Sequence, residues 1–489
     1  MVSTPPPQDF TPGQLRALEA FAGWLQDPAE ARPFVLSGHA GTGKTFLSSR
    51  LLALVEAEAL CWTVAAPTHK AVGVLRQALE TEGLRPTWYP STVHRLLRLK
   101  LSRAEGVERC EPTEQTATAL EALGLVLVDE ASMVDGALLE ILLRCARHGR
   151  TRLVFVGDPG QLPPVGEPTS PVFALPEAER QDLTEVVRHG GPVLRLATAL
   201  RQGRLASVAP PLLPPITDDR GGQVALVDRA TWIAEAQAAL RLSRERLDPD
   251  HARLLCFTNR TLERLVPIAR RALHGDLADQ LPVLPGEVLI TRLAVMAPAS
   301  RQGLGDEGPG DLVLGSNREL LVRDVAPERC DLADLGVPQA PVIETLRVEV
   351  EAGEALLSLR LAPAATSDGG RRLAALLTEL GQRARSSEGR QRSQAWRLFF
   401  LVRDSFARVG PAAVLTVHRS QGSSFDDVFV APDVHSPDDP DLRRQLLYVA
   451  VTRARRRVWL VGGGATEALR HDWQRLVGEP GEPGEAPLS

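Results

Sequence analysis

The 489-residue sequence is short of cysteine, almost without lysine, and free of long apolar runs. Its cysteines, Cys61, Cys110, Cys145, Cys256 and Cys330, are scattered and odd in number. No Cys-x-x-Cys pair occurs, which argues against zinc modules and against a disulfide framework. Isolated thiols in a reducing compartment are the expectation. No segment approaches the roughly 20 apolar residues needed to cross a bilayer, so no membrane association is expected. The proline-rich N-terminus lacks the basic-then-apolar layout of a signal peptide.

Lysine is the more informative shortage. Of 56 Lys plus Arg residues, only Lys44, Lys70 and Lys100 are lysine. A lysine that persists against such a bias marks a place where a compact ammonium serves better than a planar guanidinium. The net charge of −5 and pI near 6.1 are mild evidence against a nucleic-acid protein. Local charge decides more, because salt screens surface fields beyond about 10 Å. Residues 371–408 carry nine arginines against Glu379, Glu388 and Asp404. A basic track and a solvated helical face explain that run equally well.

The length suggests about three domains at roughly 150 residues each. Short apolar runs at 34–36, 125–128 and 153–156 read as buried parallel strands, with helical patterns at 45–56 and 137–147 between them. Similar runs at 254–258, 414–417, 428–431 and 458–461 predict a second sheet of the same kind. Strands alternating with helices indicate α/β architecture with doubly wound parallel sheets. Residues 209–215 read as a proline-rich loop or hinge. From 286 to 360 the pattern changes to short alternating segments, a small β insertion, and 367–410 returns to helix. Residues 1–9 and 478–489 are expected to be flexible.

Gly38-His39-Ala40-Gly41-Thr42-Gly43-Lys44-Thr45 is a complete G-x-x-x-x-G-K-[ST] loop between a predicted strand and a predicted helix. Its glycines let backbone N–H groups wrap phosphates, and the helix N-terminus adds its positive end. Lys44 is expected on the β and γ phosphates of ATP and Thr45 on Mg²⁺. The strand 125–128 delivers Asp129 and Glu130 at its C-terminal end, where open α/β sheets bind ligands. Asp129 is expected to hold Mg²⁺ and Glu130 to orient or deprotonate the attacking water. These signals alone define an NTPase.

Further residues carry a family resemblance. Gln14 in Thr-Pro-Gly-Gln resembles the helicase Q motif. Ala66-Pro67-Thr68-His69-Lys70-Ala71 resembles motif Ia, and Ser91-Thr92-Val93-His94-Arg95-Leu96 motif Ib. Gly157-Asp158-Pro159-Gly160-Gln161-Leu162-Pro163-Pro164-Val165 resembles motif III, and Leu183-Thr184-Glu185-Val186-Val187-Arg188 motif IV. Thr416-Val417-His418-Arg419-Ser420-Gln421-Gly422 resembles motif V, and Tyr448-Val449-Ala450-Val451-Thr452-Arg453-Ala454 motif VI. Their order and spacing resemble superfamily 1 helicases, most of all the Dda-like and RecD-like branch.

The resemblance implies two RecA-like P-loop domains with a small β-hairpin insertion and an SH3-like β insertion. The first RecA-like domain is expected over 10–190, with a strand-separating pin over 97–120. The second is expected over 191–285 and 411–470, with an inserted domain over 286–410. Gln14 is expected to read adenine, and Gly422 to join the nucleotide-binding residues. Arg188 and Arg453 are expected to reach the γ-phosphate across the cleft, where one arginine finger is worth about 10³–10⁵ in rate. Gln161 is expected to sense that phosphate. Pro67, Thr68, His69, Thr92, His94, Thr416 and His418 suit contacts to a phosphate backbone, which position a strand without reading its sequence.

The function implied is an ATP-dependent monomeric motor moving 5′→3′ on single-stranded DNA and unwinding forked or tailed duplex. Single-strand-binding or repair proteins are the implied partners, and the location is cytoplasmic and nucleoid-associated. One alternative is an ATPase subunit of a nuclease–helicase complex. The chain itself lacks a D…(D/E)-x-K nuclease signature, since no lysine has an acid two positions before it. An RNA helicase of the same superfamily is a second alternative, distinguishable only by contacts to the 2′-OH. A non-enzymatic switch is disfavoured because Glu130, Gln161, Arg188 and Arg453 are all present.

Overall fold

A computed structural model describes residues 10–27, 32–104, 107–185, 191–205, 210–296, 312–335, 337, 340–353, 355–463 and 467–478. The flexible end expected at 1–9, all of the end expected at 478–489 except Gly478, and the candidate Arg188 lie outside the described residues.

The first sheet has six strands in the order Ser91–Thr92, Trp62–Ala66, Leu125–Val128, Arg152–Gly157, Phe34–Gly38 and Glu179–Leu183. All its pairings are parallel. Four of these strands are buried at nearly every position, which is why they read as continuous apolar runs rather than alternating ones. Helices Pro12–Gln26, Lys44–Ala57 and His69–Glu82 contribute Phe21, Trp24, Leu47, Leu51, Val72 and Leu75 to the core on this sheet. The parallel order brings the C-terminal ends of the strands to one edge. From that edge emerge the phosphate loop, Thr68, Thr92, Asp129 and Asp158.

The second sheet runs Val414–Thr416, Ala252–Cys256, Phe425–Val430, Ala454–Val461, Gln223–Val227 and Leu213–Thr217. It is parallel except for the last strand. That strand corrects the proline-rich loop expected at 209–215. Pro214 and Pro215 lie on an antiparallel edge strand, where a missing N–H leaves no interior ladder bond unmade. Phe429 anchors this core, stacked on Trp459 at 5.6 Å and edge-on to Trp232 at 5.9 Å.

Both parallel sheets fall in one compact unit, and residues 99–111 with 273–413 form a second unit. The second unit holds an antiparallel five-stranded sheet, in the order Ala355–Arg360, Val342–Ala352, Glu319–Asp331, Val288–Thr291 and Val409–Pro411. Leu289, Leu320, Val322, Val348 and Val350 fill its core. The helices Asp368–Ser386 and Gly389–Asp404 pack Leu373, Leu377 and Val402 with Ile343 and Leu332. The hairpin Lys100–Ala104 with Val107–Glu111 belongs to this unit. Among the described residues, no helix is long and apolar enough to cross a membrane.

Phe429→Ala removes a buried ring with two aromatic partners and should destabilise the second sheet by about 3–5 kcal/mol. Denaturant unfolding measures this, and a loss below about 1 kcal/mol would contradict the packing described.

Candidate nucleotide and nucleic-acid cleft

The phosphate loop is shaped by backbone rather than by side chains. Gly41 has φ +82, a conformation strained for any residue with a side chain, and a Cβ there would meet Leu194 Cδ1 at 2.9 Å. Gly43 caps the helix Lys44–Ala57 from the left-handed region, with no side chain bonding the helix N-terminus. The first turn of an α-helix has N–H groups without intrahelical partners. Uncapped, they form an anion site. Lys44 Nζ lies across the loop, donating to the carbonyls of Gly38 at 2.7 Å and His39 at 3.0 Å. Burial lowers the pKa of His39, with the charges of Arg201 and Lys44 adding to that and those of Asp158 and Asp182 opposing it.

Asp129 and Glu130 sit where the sequence places them, beyond the strand Leu125–Val128. Glu130 adopts φ 53, ψ 42, a left-handed conformation that costs a non-glycine residue about 1–2 kcal/mol. Such strain concentrates at functional positions. The turn lets the Glu130 N–H donate to Asp129 Oδ1 at 2.8 Å. Burial pushes the Asp129 carboxyl up to about 7, and the neighbouring Glu130 charge adds to it. The Glu130 N–H and Lys44 pull the other way. An acid so destabilised as an anion is one that gains from a cation beside it.

Gln14 packs against the phosphate loop. It is fully buried, donating through Nε2 to Thr42 O at 2.9 Å and accepting the Thr11 N–H at 3.1 Å through Oε1. Both ends of its amide brace the phosphate loop and the helix start. Gly422 packs against the start of the helix His69–Glu82, where a Cβ on it would meet Ala71 Cβ at 3.2 Å and Thr68 Oγ1 at 3.3 Å.

The second sheet reaches this loop through the helix Pro440–Thr452. Tyr448 Oη donates to Asp158 Oδ2 at 2.5 Å and accepts the Ala40 N–H at 3.0 Å. Asp158, fully buried, also accepts the Gly160 N–H at 2.8 Å and lies 3.7 Å from Arg201 Nε. Burial raises the Tyr448 pKa, and Asp158 raises it further, so the phenol stays a donor. The sequence quoted Tyr448 and Asp158 within motifs without assigning either a role.

Arg453 is 6% exposed. It donates to Val449 O, Ser423 O and Thr452 Oγ1, each at 3.1 Å. Burial lowers its pKa, while Glu130, Tyr448 and Asp158 favour its charged form. Glu130 and Arg453, on different sheets, therefore act on one another. Gln161 is buried, and Gln421 Nε2 donates to Leu162 O at 3.2 Å beside it, a second link between the sheets.

The residues expected on a strand backbone divide into three groups. Thr68 and Thr92 accept the N–H groups of Ala71 at 3.2 Å and Arg95 at 3.4 Å, so each first serves as a helix cap. Thr416 is buried on its strand. Pro67, His69, His94 and His418 are partly buried. Burial lowers the pKa of His94 and His418, which favours their neutral forms. Lys70 Nζ lies 3.3 Å from Asp250, tying the first sheet's motif Ia to the second sheet.

A protein-family model described as an AAA domain matches residues 9–210, and one described as a UvrD-like helicase C-terminal domain matches residues 411–461. The chain is 26% identical to the ATP-dependent DNA helicase dda of Enterobacteria phage T4, over 93% of this chain and 99% of that protein. It is 28% identical to the RecBCD enzyme subunit RecD of Mycolicibacterium smegmatis, over 88% of this chain and 68% of that protein. With the ATP-dependent RecD2 DNA helicase of Deinococcus radiodurans it shares 34% identity, over 38% of this chain and 24% of that protein.

The Asp129 shift fixes a pH dependence. Its folded pKa of about 7 exceeds the ordinary value of 3.8, so the folded state holds the extra proton and metal-free stability falls as pH rises between them. Asp129→Asn removes that penalty. Its melting temperature relative to the parent should climb between pH 4 and 7 and then level off. A difference that stays constant with pH would contradict the buried carboxyl.

Proposed function

We propose that the chain is an ATP-dependent DNA helicase of superfamily 1, on the branch that holds the phage Dda and bacterial RecD proteins. It moves 5′→3′ along single-stranded DNA and unwinds tailed or forked duplex. The observation that carries this reading is the Tyr448 hydroxyl, which joins the phosphate loop and Asp158 of one sheet to the motif VI helix of the other. A nucleotide bound at that loop touches both halves of the machine.

The residues fit ATP and Mg²⁺. Thr45 lies exposed on the first turn of the loop's helix, and Asp129 offers a carboxylate whose ionisation a cation would favour. Mg²⁺ held there would neutralise charge on the β and γ phosphates. Lys44 exchanges its two loop carbonyls for phosphate oxygens. Glu130 orients the attacking water. Arg453, already held by three hydrogen bonds, offers its remaining N–H donors towards the developing charge with little reorganisation. Arg188 takes the same role on its motif alone.

Gln161 and Gln421 carry the state of the nucleotide to the strand-contact motifs, since Gln421 lies one residue before Gly422, which abuts Thr68 and Ala71. Small polar groups and histidines on both sheets then hold a DNA backbone without reading bases. The hairpin at 100–111 is the proposed wedge between the strands. Both sheets of the cleft come from one chain, so a monomer is the proposed working unit, acting with single-strand-binding or repair proteins in the cytoplasm.

Lys44→Ala should abolish DNA-stimulated ATP hydrolysis and unwinding together, by at least about 100-fold. The intact chain should unwind a duplex bearing a 5′ single-stranded tail and leave a 3′-tailed one paired. Full ATPase in the variant would remove the site assignment, and unwinding from the 3′ tail alone would reverse the direction of travel.

A further inference from the structure

The loop leading into the strand Ala252–Cys256 carries a group of side chains that the nucleotide cleft does not use. His251 is 2% exposed, yet neither ring nitrogen has a hydrogen-bond partner among the described residues. A buried imidazole without partners is costly, and its surroundings are acidic. Nδ1 lies 3.5 Å from Asp426 Oδ2, and Nε2 lies 4.0 Å from Asp427 Oδ2. Asp427 is already spent on Arg457, whose Nε donates to it at 2.6 Å. Asp248 and Asp426 are partly buried, and each offers an oxygen in a cluster with His251 whose ligand atoms all lie within 4.8 Å of one another.

The 3.5 Å between His251 Nδ1 and Asp426 Oδ2 suits a shared cation better than a direct contact. A charged imidazole bonded to a carboxylate would close to about 2.7–2.9 Å. Two ligands held 2.0–2.1 Å from a tetrahedral ion stand about 3.4 Å apart. The carboxylates are also anchored from behind. Asp248 Oδ1 accepts the Asp250 N–H at 3.0 Å, and Asp426 Oδ1 faces Arg455 at 3.5 Å. Orientation of ligands by such outer partners is characteristic of metal sites. His251 and Asp426 line a cavity of about 340 Å³ together with Gly222, Arg246, Arg456 and Arg457, with room for water to complete a coordination shell.

We propose that Asp248, His251 and Asp426 bind a divalent first-row transition ion, separate from the Mg²⁺ of the nucleotide cleft. One imidazole nitrogen and two carboxylate oxygens suit Mn²⁺ or Zn²⁺, whereas Mg²⁺ prefers oxygen and water. The ion pins the 248–251 loop to the start of the strand Phe425–Val430. Between two of its ligands lies Asp250, the partner of Lys70, so the site also steadies a link between the two parallel sheets. Its failure would leave the helicase reading untouched, because no residue of the phosphate site belongs to it.

The test titrates the full chain with Mn²⁺ in excess Mg²⁺ and reads free Mn²⁺ by electron paramagnetic resonance. His251→Ala, Asp426→Asn and the partly exposed Asp248→Asn should each bind one Mn²⁺ fewer than the parent. Zn²⁺ should displace that ion. Asp248→Asn keeps the test decisive if loss of the buried histidine unfolds the chain. Equal Mn²⁺ stoichiometry in the parent and in the folded variants, or no binding to the parent, would overturn the proposal.

Discussion

The cleft depends on one phenolic hydroxyl. Tyr448 is one of two tyrosines in the chain, and its Oη meets an amide of the phosphate loop and the buried carboxylate of Asp158. Without it, Asp158 would lose a partner in a place water does not reach, at a cost of about 1–3 kcal/mol. The bond also sets position. Arg453 lies five residues after Tyr448, immediately beyond the same helix, so the registry that seats Tyr448 against Ala40 also brings Arg453 within electrostatic reach of Glu130. A cation held by three hydrogen bonds and facing an acid across a cleft is already organised for charge that develops between them.

Two further links between the sheets are weak. Lys70 to Asp250 is a partly exposed pair, and Gln421 to Leu162 a single neutral hydrogen bond. Exposed pairs contribute about 0–1 kcal/mol, and neutral hydrogen bonds about 0.5–1.5 kcal/mol. Links of that size can be remade in each cycle at small expense. Phosphate binding can therefore shift the fit of Gly422 against Thr68 and Ala71 without unfolding either sheet.

Much of this was legible in the sequence because parallel strands and phosphate loops have strict local requirements. Strands buried on both faces must be apolar throughout, so 34–36, 125–128 and 153–156 stood out. The loop at 38–45 needs its glycines and lysine wherever it occurs. What escaped the sequence was partnership across long separations. Gln14 has the residue type for adenine recognition, and its bond to Thr11 follows the local capping-box pattern, but nothing nearby in sequence reveals that Thr42 accepts from its amide. Tyr448 and Asp158 are 290 positions apart. The strand at Leu213–Thr217 was hidden because prolines argue against a central strand and say nothing against an edge.

If the two sheets form one cleft, nucleotide and DNA must influence each other's binding by the same factor. The direct measurement is the affinity of the chain for a fluorescent oligothymidylate, with and without a saturating non-hydrolysable ATP analogue, alongside the affinity for the analogue with and without DNA. The account predicts equal shifts of about 5–150-fold in both directions, shrinking towards unity in Arg453→Ala. Affinities that ignore the other ligand would contradict it.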